Sequence, residues 1–276
     1  MEVKNAGSQF LAGTLASLVA AVGLVRFGAA PFQLLRDVLV WRPGQGIPLS
    51  FQASGSAALC SLLFGTGTLI AMLGLRRLAR VAAFSSLALI LVIASGAASA
   101  AGGGGLFLAA WRESASFHVI ATSDRSPQAD QLDAAVASAL GPARVGFAGL
   151  LAGAALLSVL SCGSLKPCPS SGSLNAAARA LGGLAAASAM TFALLLAATW
   201  FPMQKLAALL ASGEAVKPSE IAVRISRNLQ LSLLAGAALL AYGVFLVLAG
   251  ILLRRGPPLR RAEAGVEPAG RPNRNP

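Results

Sequence analysis

The 276-residue chain is 56% hydrophobic and only 12% charged, about half the charged share of a typical soluble domain. Its net charge of +12 lies largely beside apolar runs, which is typical of membrane topology signals and lipid-headgroup contacts. This composition excludes an ordinary soluble globule, and we expect no nucleic-acid partner.

Apolar runs long enough to cross about 30 Å of hydrocarbon as helices recur along the chain. They do not alternate between apolar and polar residues as barrel strands do. Because backbone groups in lipid must bond to one another, such runs form helices. We predict an all-α polytopic membrane protein with about six transmembrane helices, at approximately 9–28, 56–75, 81–109, 145–165, 180–201 and 229–253.

The first run has one acidic and one basic side chain before it, fewer positive charges than a cleaved signal peptide carries, so we expect a retained first helix. It continues past "GAAP" into an amphiphilic segment. In the third run, "AGGGG" at 101–105 is predicted to break or bend the helix.

The loops alternate between short basic ones and long mixed ones. The long loops, at about 29–55, 110–144 and 202–228, hold most of the acidic residues, Glu113 among them. Counting positive charges predicts that the short loops and both termini lie in the cytoplasm. We expect the protein to lie in the inner membrane. Trp111 and Trp200 each end a helix that follows a basic loop, so we predict them as anchors at the outer interface.

The octamer "LLAGAALL" occurs at 150–157 and again at 233–240, an offset of 83 residues. Little else matches at that offset. At an offset of 89, Trp111 meets Trp200 and Lys166 meets Arg255 with no gap between. We interpret the octamer as a coincidence of composition and predict a repeated hairpin in the second register.

Each hairpin has a helix, an interfacial tryptophan, an outer amphipathic segment and a returning helix. Leu132, Val136 and Leu140 form one apolar stripe, and a proline can open the helix that carries it. Ser126-Pro127 and Pro218 are the predicted helix starts. The predicted division is a degenerate first hairpin at 1–77, a second hairpin at 78–166, a third at 178–255 and a disordered basic tail at 256–276.

The segments "FHVIATSDRSPQADQLDAAVASALGPARVGFAGLLAGA" (117–154) and "LAALLASGEAVKPSEIAVRISRNLQLSLLAGAALLAY" (206–242) resemble the last two membrane helices of the MotA/TolQ/ExbB proton-channel superfamily. The resemblance covers about half the chain and rests on short apolar motifs. It implies a related fold, with the long loops outside.

The residues that the family uses for its ion path are replaced. The family's acidic position holds Ser138 and Arg227, and its threonine pair falls on Pro142 and Ala143, then on Leu231 and Ser232. The threonine of the preceding helix falls near Ala109 and Ala198, with Thr199 adjacent. The resemblance therefore implies the fold without an intact proton path, and Thr199 and Ser232 are the possible remnants of a polar pathway.

We predict no catalytic, cofactor or metal site. No carboxylate is expected well inside a span, Cys162 and Cys168 lack further ligands nearby, and Cys60 lies in an apolar run. The single histidine, His118, is interpreted as a solvated loop residue. Thr66, Thr68, Thr191 and Ser232 are expected to bond to their own backbone or to a neighbouring helix.

The function that the sequence favours is association of helices, within the chain or between copies of it. Gly149 and Gly153 form a GxxxG pair that allows close helix packing. We expect a non-enzymatic subunit of an inner-membrane complex, with the lipid bilayer and either copies of itself or other membrane subunits as partners. The alternatives are a working proton channel and, less favoured, a small-solute transporter; an intramembrane carboxylate would favour the channel.

Overall fold

In the computed structural model of the chain, the described residues are 2–40, 49–81, 84–122, 129–163, 176–202, 205 and 218–255. They contain no β-strand. The principal elements are α1 (Glu2–Phe27), α2 (Ala30–Val40), α3 (Leu49–Val81), α4 (Ser86–Thr122), α5 (Ala129–Cys162), α6 (Ala176–Ala198) and α7 (Pro218–Arg255).

Six segments of these helices are long and apolar enough to cross a membrane, which confirms the predicted fold class. The protein is an all-α polytopic membrane protein. Its candidate spans are Lys4–Leu34, Gln52–Leu78, Ser86–Ser116, Asp133–Cys162, Ala177–Pro202 and Val223–Leu253.

The structure differs from some of the predicted local features and agrees with others. The glycine tract 101–105 does not break α4, which is one continuous helix. Residues 30–40, predicted as part of a loop, form the helix α2. The last helix starts at Pro218, as predicted. Ser126-Pro127, Cys168 and the tail 256–276 lie outside the described residues, and the four-part division and the offset of 89 stay predictions.

The six long helices form a closed ring in the order α1, α3, α6, α7, α4, α5 and back to α1. Neighbours are antiparallel, as the contacts of Gly13 with Ala71 and of Gly23 with Cys60 show for α1 and α3. One end of the ring carries Arg76, Arg77 and Arg179, and we call it the basic end. The other carries Trp111 and Trp200, and we call it the tryptophan end.

The short helix α2 lies across the tryptophan end. It contacts α3 and α5 and also reaches α4 and α7 on the far side of the ring. Phe32 and Leu34 of α2 are buried, and Arg36 forms an ion pair of 3.0 Å with Asp133 of α5. Since that pair is exposed, its contribution is small, and burial of the apolar side chains is what holds α2 in place.

Pairs of glycines bring the backbones of neighbouring helices together. Gly13 meets Gly67 between α1 and α3, Gly102 meets Gly146 between α4 and α5, and Gly96 meets Gly243 between α4 and α7. A Cβ on Gly96 would lie 2.8 Å from the Gly243 carbonyl oxygen, too close for any side chain. These glycines therefore set the spacing of the ring.

We expect Gly96→Ala to lower the free energy of unfolding by about 1–3 kcal/mol, because the added methyl group must push α4 away from α7. The measurement is denaturant unfolding of the purified protein in a mild detergent. Gly104→Ala is the matched control in the same helix, since a Cβ at Gly104 meets nothing within 4 Å. Equal stability of the two variants would contradict the spacing role of Gly96.

Candidate functional site: the polar interior of the helix ring

A cluster of hydroxyl groups occupies the interior of the ring. Thr14 and Ser17 of α1, Thr68 of α3, Ser99 of α4 and Tyr242 of α7 border one small cavity. All five residues are buried. The cavity has room for no more than a single water molecule, so the centre of the ring is closely packed.

The hydroxyls of this interior join neighbouring helices. The Ser17 and Thr68 hydroxyls lie 3.1 Å apart, linking α1 to α3. The Thr14 and Ser161 hydroxyls lie 2.8 Å apart, linking α1 to α5. Ser95 donates across the α4–α5 contact to the Gly153 carbonyl at 2.7 Å. Interhelical hydrogen bonds of this kind stabilise the packing of helices in lipid.

Hydroxyls on the outer surface bond to their own helices. Thr66 donates to the Leu62 carbonyl at 2.9 Å, and Thr191 donates to the Ala187 carbonyl at 3.0 Å. Thr68 contacts Ser17 of a neighbouring helix. The prediction that Thr66, Thr68 and Thr191 bond to their own backbone or to a neighbouring helix is therefore confirmed.

A second polar group lies at the tryptophan end, under α2. Glu113 of α4 is 1% exposed and Asn228 of α7 is 2% exposed. Among the described residues, neither Oε2 of Glu113 nor Oδ1 of Asn228 has a hydrogen-bond partner. Glu113 was predicted in a loop, and this is wrong, because α4 continues as a helix past Trp111 to Thr122 and Glu113 lies near the end of the candidate span Ser86–Ser116.

One feature of the sequence could have identified the burial of Glu113. Trp111 is 60% exposed, as an interfacial anchor facing lipid would be. In a helix, each residue is turned by about 100° from the last, so residue 113 lies about 200° around from residue 111. A continuing helix with Trp111 outside therefore places Glu113 inside.

The two predicted pathway residues lie at the same end of the ring. Thr199 is buried just after the end of α6 and donates to the carbonyl of Leu196, in the last turn of that helix, at 2.6 Å. Ser232 is buried on α7. Neither residue borders the central cavity. The structure thus places both hydroxyls inside the protein but does not connect them to the hydroxyl cluster.

The other residues predicted to have structural roles, the two tryptophans and the two glycines of the GxxxG pair, pack against neighbouring residues. The Trp111 ring stacks on Phe107 with 6.5 Å between centroids, and the Trp200 ring lies against Gly55. Gly149 lies against Gly102 of α4, and Gly153 against Ser95 and Ser99 of the same helix.

The described residues offer little chemistry beyond hydrogen bonding. They contain no group of three His, Cys, Asp or Glu residues that could hold a metal ion. His118 is exposed near the end of α4, apart from the interior hydroxyls. Cys60 and Cys162 are free thiols. The interior can therefore hold helices together. It also presents two buried oxygen atoms, one on Glu113 and one on Asn228.

Comparison of the chain with protein-family models, with curated proteins and with solved structures gives no match.

We expect the Ser17 and Thr68 hydroxyls to stabilise the fold jointly. In a double-mutant cycle with Ser17→Ala, Thr68→Ala and the double variant, the coupling energy should be about 0.6 kcal/mol, the average for such bonds in a membrane protein. Unfolding in detergent measures it. Thr66→Ala combined with Ser17→Ala is the matched control and should show no coupling, because Thr66 bonds only within α3.

Proposed function

We propose that this protein is a non-enzymatic subunit of an inner-membrane complex, related to the proton-channel energy transducers, with both termini in the cytoplasm. We further propose that it meets its partner, either a second copy or another membrane subunit, through the outer face of α4 and α5. The observation that carries the proposal is the run of small side chains on that face.

The packed interior supports a role on the outside of the ring. Its hydroxyl groups join helices, and the cavity that they border holds no more than a single water. The polar centre of the ring therefore has no room for a substrate. The outer surface of the protein is therefore where it meets other molecules.

The outer face of α4 and α5 carries several small residues. Ala97 and Ala101 of α4 are exposed, as are Ala148 and Ala152 of α5. Gly104 follows on α4, and a Cβ there would meet nothing within 4 Å. Because Gly102 packs against Gly149, the two runs lie at the same height. Small residues let a partner helix approach closely, which is how helices associate in lipid.

We expect Ala101→Leu and Gly104→Leu to reduce the assembled mass, because each side chain would hold a partner helix away. The measurement is the mass of the purified protein in mild detergent, with co-purifying subunits identified. Ala12→Leu, an equally exposed position on α1, is the matched control and should leave the assembly unchanged. A wild-type protein that is monomeric and carries no partner would contradict the proposal.

A second candidate, a proton channel, is favoured by the buried Glu113 and Asn228. From the tryptophan end, α3 continues with buried hydroxyls at Ser54, Ser61 and Thr68. These lie seven residues apart, about 10.5 Å along a helix, whereas a hydrogen bond spans about 3 Å. A relay would need a file of water between them, and the central cavity is too small for one.

We therefore expect the purified protein in liposomes to dissipate no pH gradient above the leak of empty liposomes. A pH-sensitive dye trapped inside the liposomes measures the flux. Proton flux that disappears in both Glu113→Gln and Ser232→Ala would contradict the first proposal and establish the channel. Flux that survives in both variants would come from another route and would contradict the pathway through these residues.

A further inference from the structure

An apolar pocket lies at the basic end of the ring, where α3, α6, α7 and the start of α4 meet. It offers about 80 Å³ to molecules of the size of water and is partly open to its surroundings. Its walls are almost entirely apolar, with Met72, Leu89, Val92, Leu246 and Leu253 among them.

The pocket opens between α3 and α6. Leu73 of α3 and Gly183 of α6 both line it and are exposed. Gly182, also in its wall, has nothing within 4 Å of where a Cβ would lie. An opening flanked by leucine and glycine on the outer surface of a membrane protein faces hydrocarbon. The pocket is therefore accessible to a lipid chain from the side.

Two arginines line the same pocket. Arg76 comes from α3 and Arg179 from the first turn of α6. Arg76 is exposed and Arg179 is half-buried. The guanidinium group binds phosphate through paired hydrogen bonds. The pocket thus combines an apolar chamber with two phosphate-binding groups at the level where headgroups lie.

We propose that this pocket binds one anionic phospholipid from the leaflet at the basic end, with an acyl chain in the apolar chamber and the headgroup phosphate at Arg76 and Arg179. Basic pockets between transmembrane helices are known sites for anionic headgroups. Charge complementarity favours an anionic lipid, because its phosphate supplies an anion to both arginines while its acyl chain matches the apolar walls. The inference does not depend on the proposed function.

The test compares phosphatidylglycerol with phosphatidylcholine of identical acyl chains. Each lipid is titrated into the full-length protein in mild detergent, and bound lipid is counted by native mass spectrometry. Phosphatidylglycerol should bind more tightly and in one-to-one ratio. Arg76→Gln and Arg179→Gln should each weaken its binding about fivefold.

Arg77→Gln is the matched charge control, because Arg77 lies outside the pocket lining and bonds to Gln9 at 2.9 Å. It should leave binding unchanged. Gly182→Leu should abolish binding by occupying the chamber without disturbing the fold. Gly7→Leu should not, because Gly7 lies outside the pocket lining and a Cβ there also meets nothing within 4 Å.

Three outcomes would overturn the proposal. The first is equal binding of the two lipids, and the second is an Arg77→Gln effect as large as that of Arg76→Gln or Arg179→Gln. The third is full binding by a Gly182→Leu variant whose unfolding curve matches that of the wild type.

Discussion

Direct contact between helix backbones is the constraint on which the rest of the structure depends. Gly96 and Gly243 leave no space for a side chain between α4 and α7, and Gly13 and Gly67 do the same between α1 and α3. Lipid tails are as apolar as leucine, so helices in a bilayer gain little from burying large apolar side chains against one another. They gain instead from van der Waals contact and from short interhelical hydrogen bonds, both of which require close approach. The glycines provide that approach between α1 and α3, between α4 and α5, and between α4 and α7.

A ring this tight determines what its polar groups can do. Ser17, Thr68, Thr14 and Ser161 lie close enough to bond across helix contacts, so their hydroxyls are used for packing. A channel needs the opposite arrangement, in which polar groups face a continuous file of water. The polar groups that do not join helices in this way lie at the two ends of the ring. Glu113 and Asn228 lie beneath α2 at the tryptophan end, and Arg76 and Arg179 border the apolar pocket at the basic end.

The spans could be predicted from sequence because length and apolar content alone determine them in a membrane. The arrangement could not, since the ring order depends on which glycines meet across helices. The glycine tract at 101–105 was misread for a physical reason. Glycine destabilises helices in water, where it favours the flexible unfolded chain, but in lipid a broken helix would leave backbone groups unsatisfied. The tract therefore stays helical, with Gly102 and Gly103 packed against α5 and α7. The burial of Glu113 was not predicted, because Trp111 was taken as the end of its helix. The helix α2 was not predicted, because its eleven residues are too few to span a bilayer.

The two ends of the ring differ in a way that bears on function. At the tryptophan end, α2 lies across the ring, and Glu113, Phe32 and Leu34 are all buried. At the basic end, α6 stands far enough from α3 and α7 to leave a pocket, and Gly182 and Gly183 leave it unfilled. A larger residue at Gly182 would fit there and would bury apolar surface, so packing alone does not explain the glycine. Occupation by a lipid does, because an acyl chain would make the contacts that the missing side chains leave open, and its phosphate would neutralise two arginines that the fold brings to the same pocket.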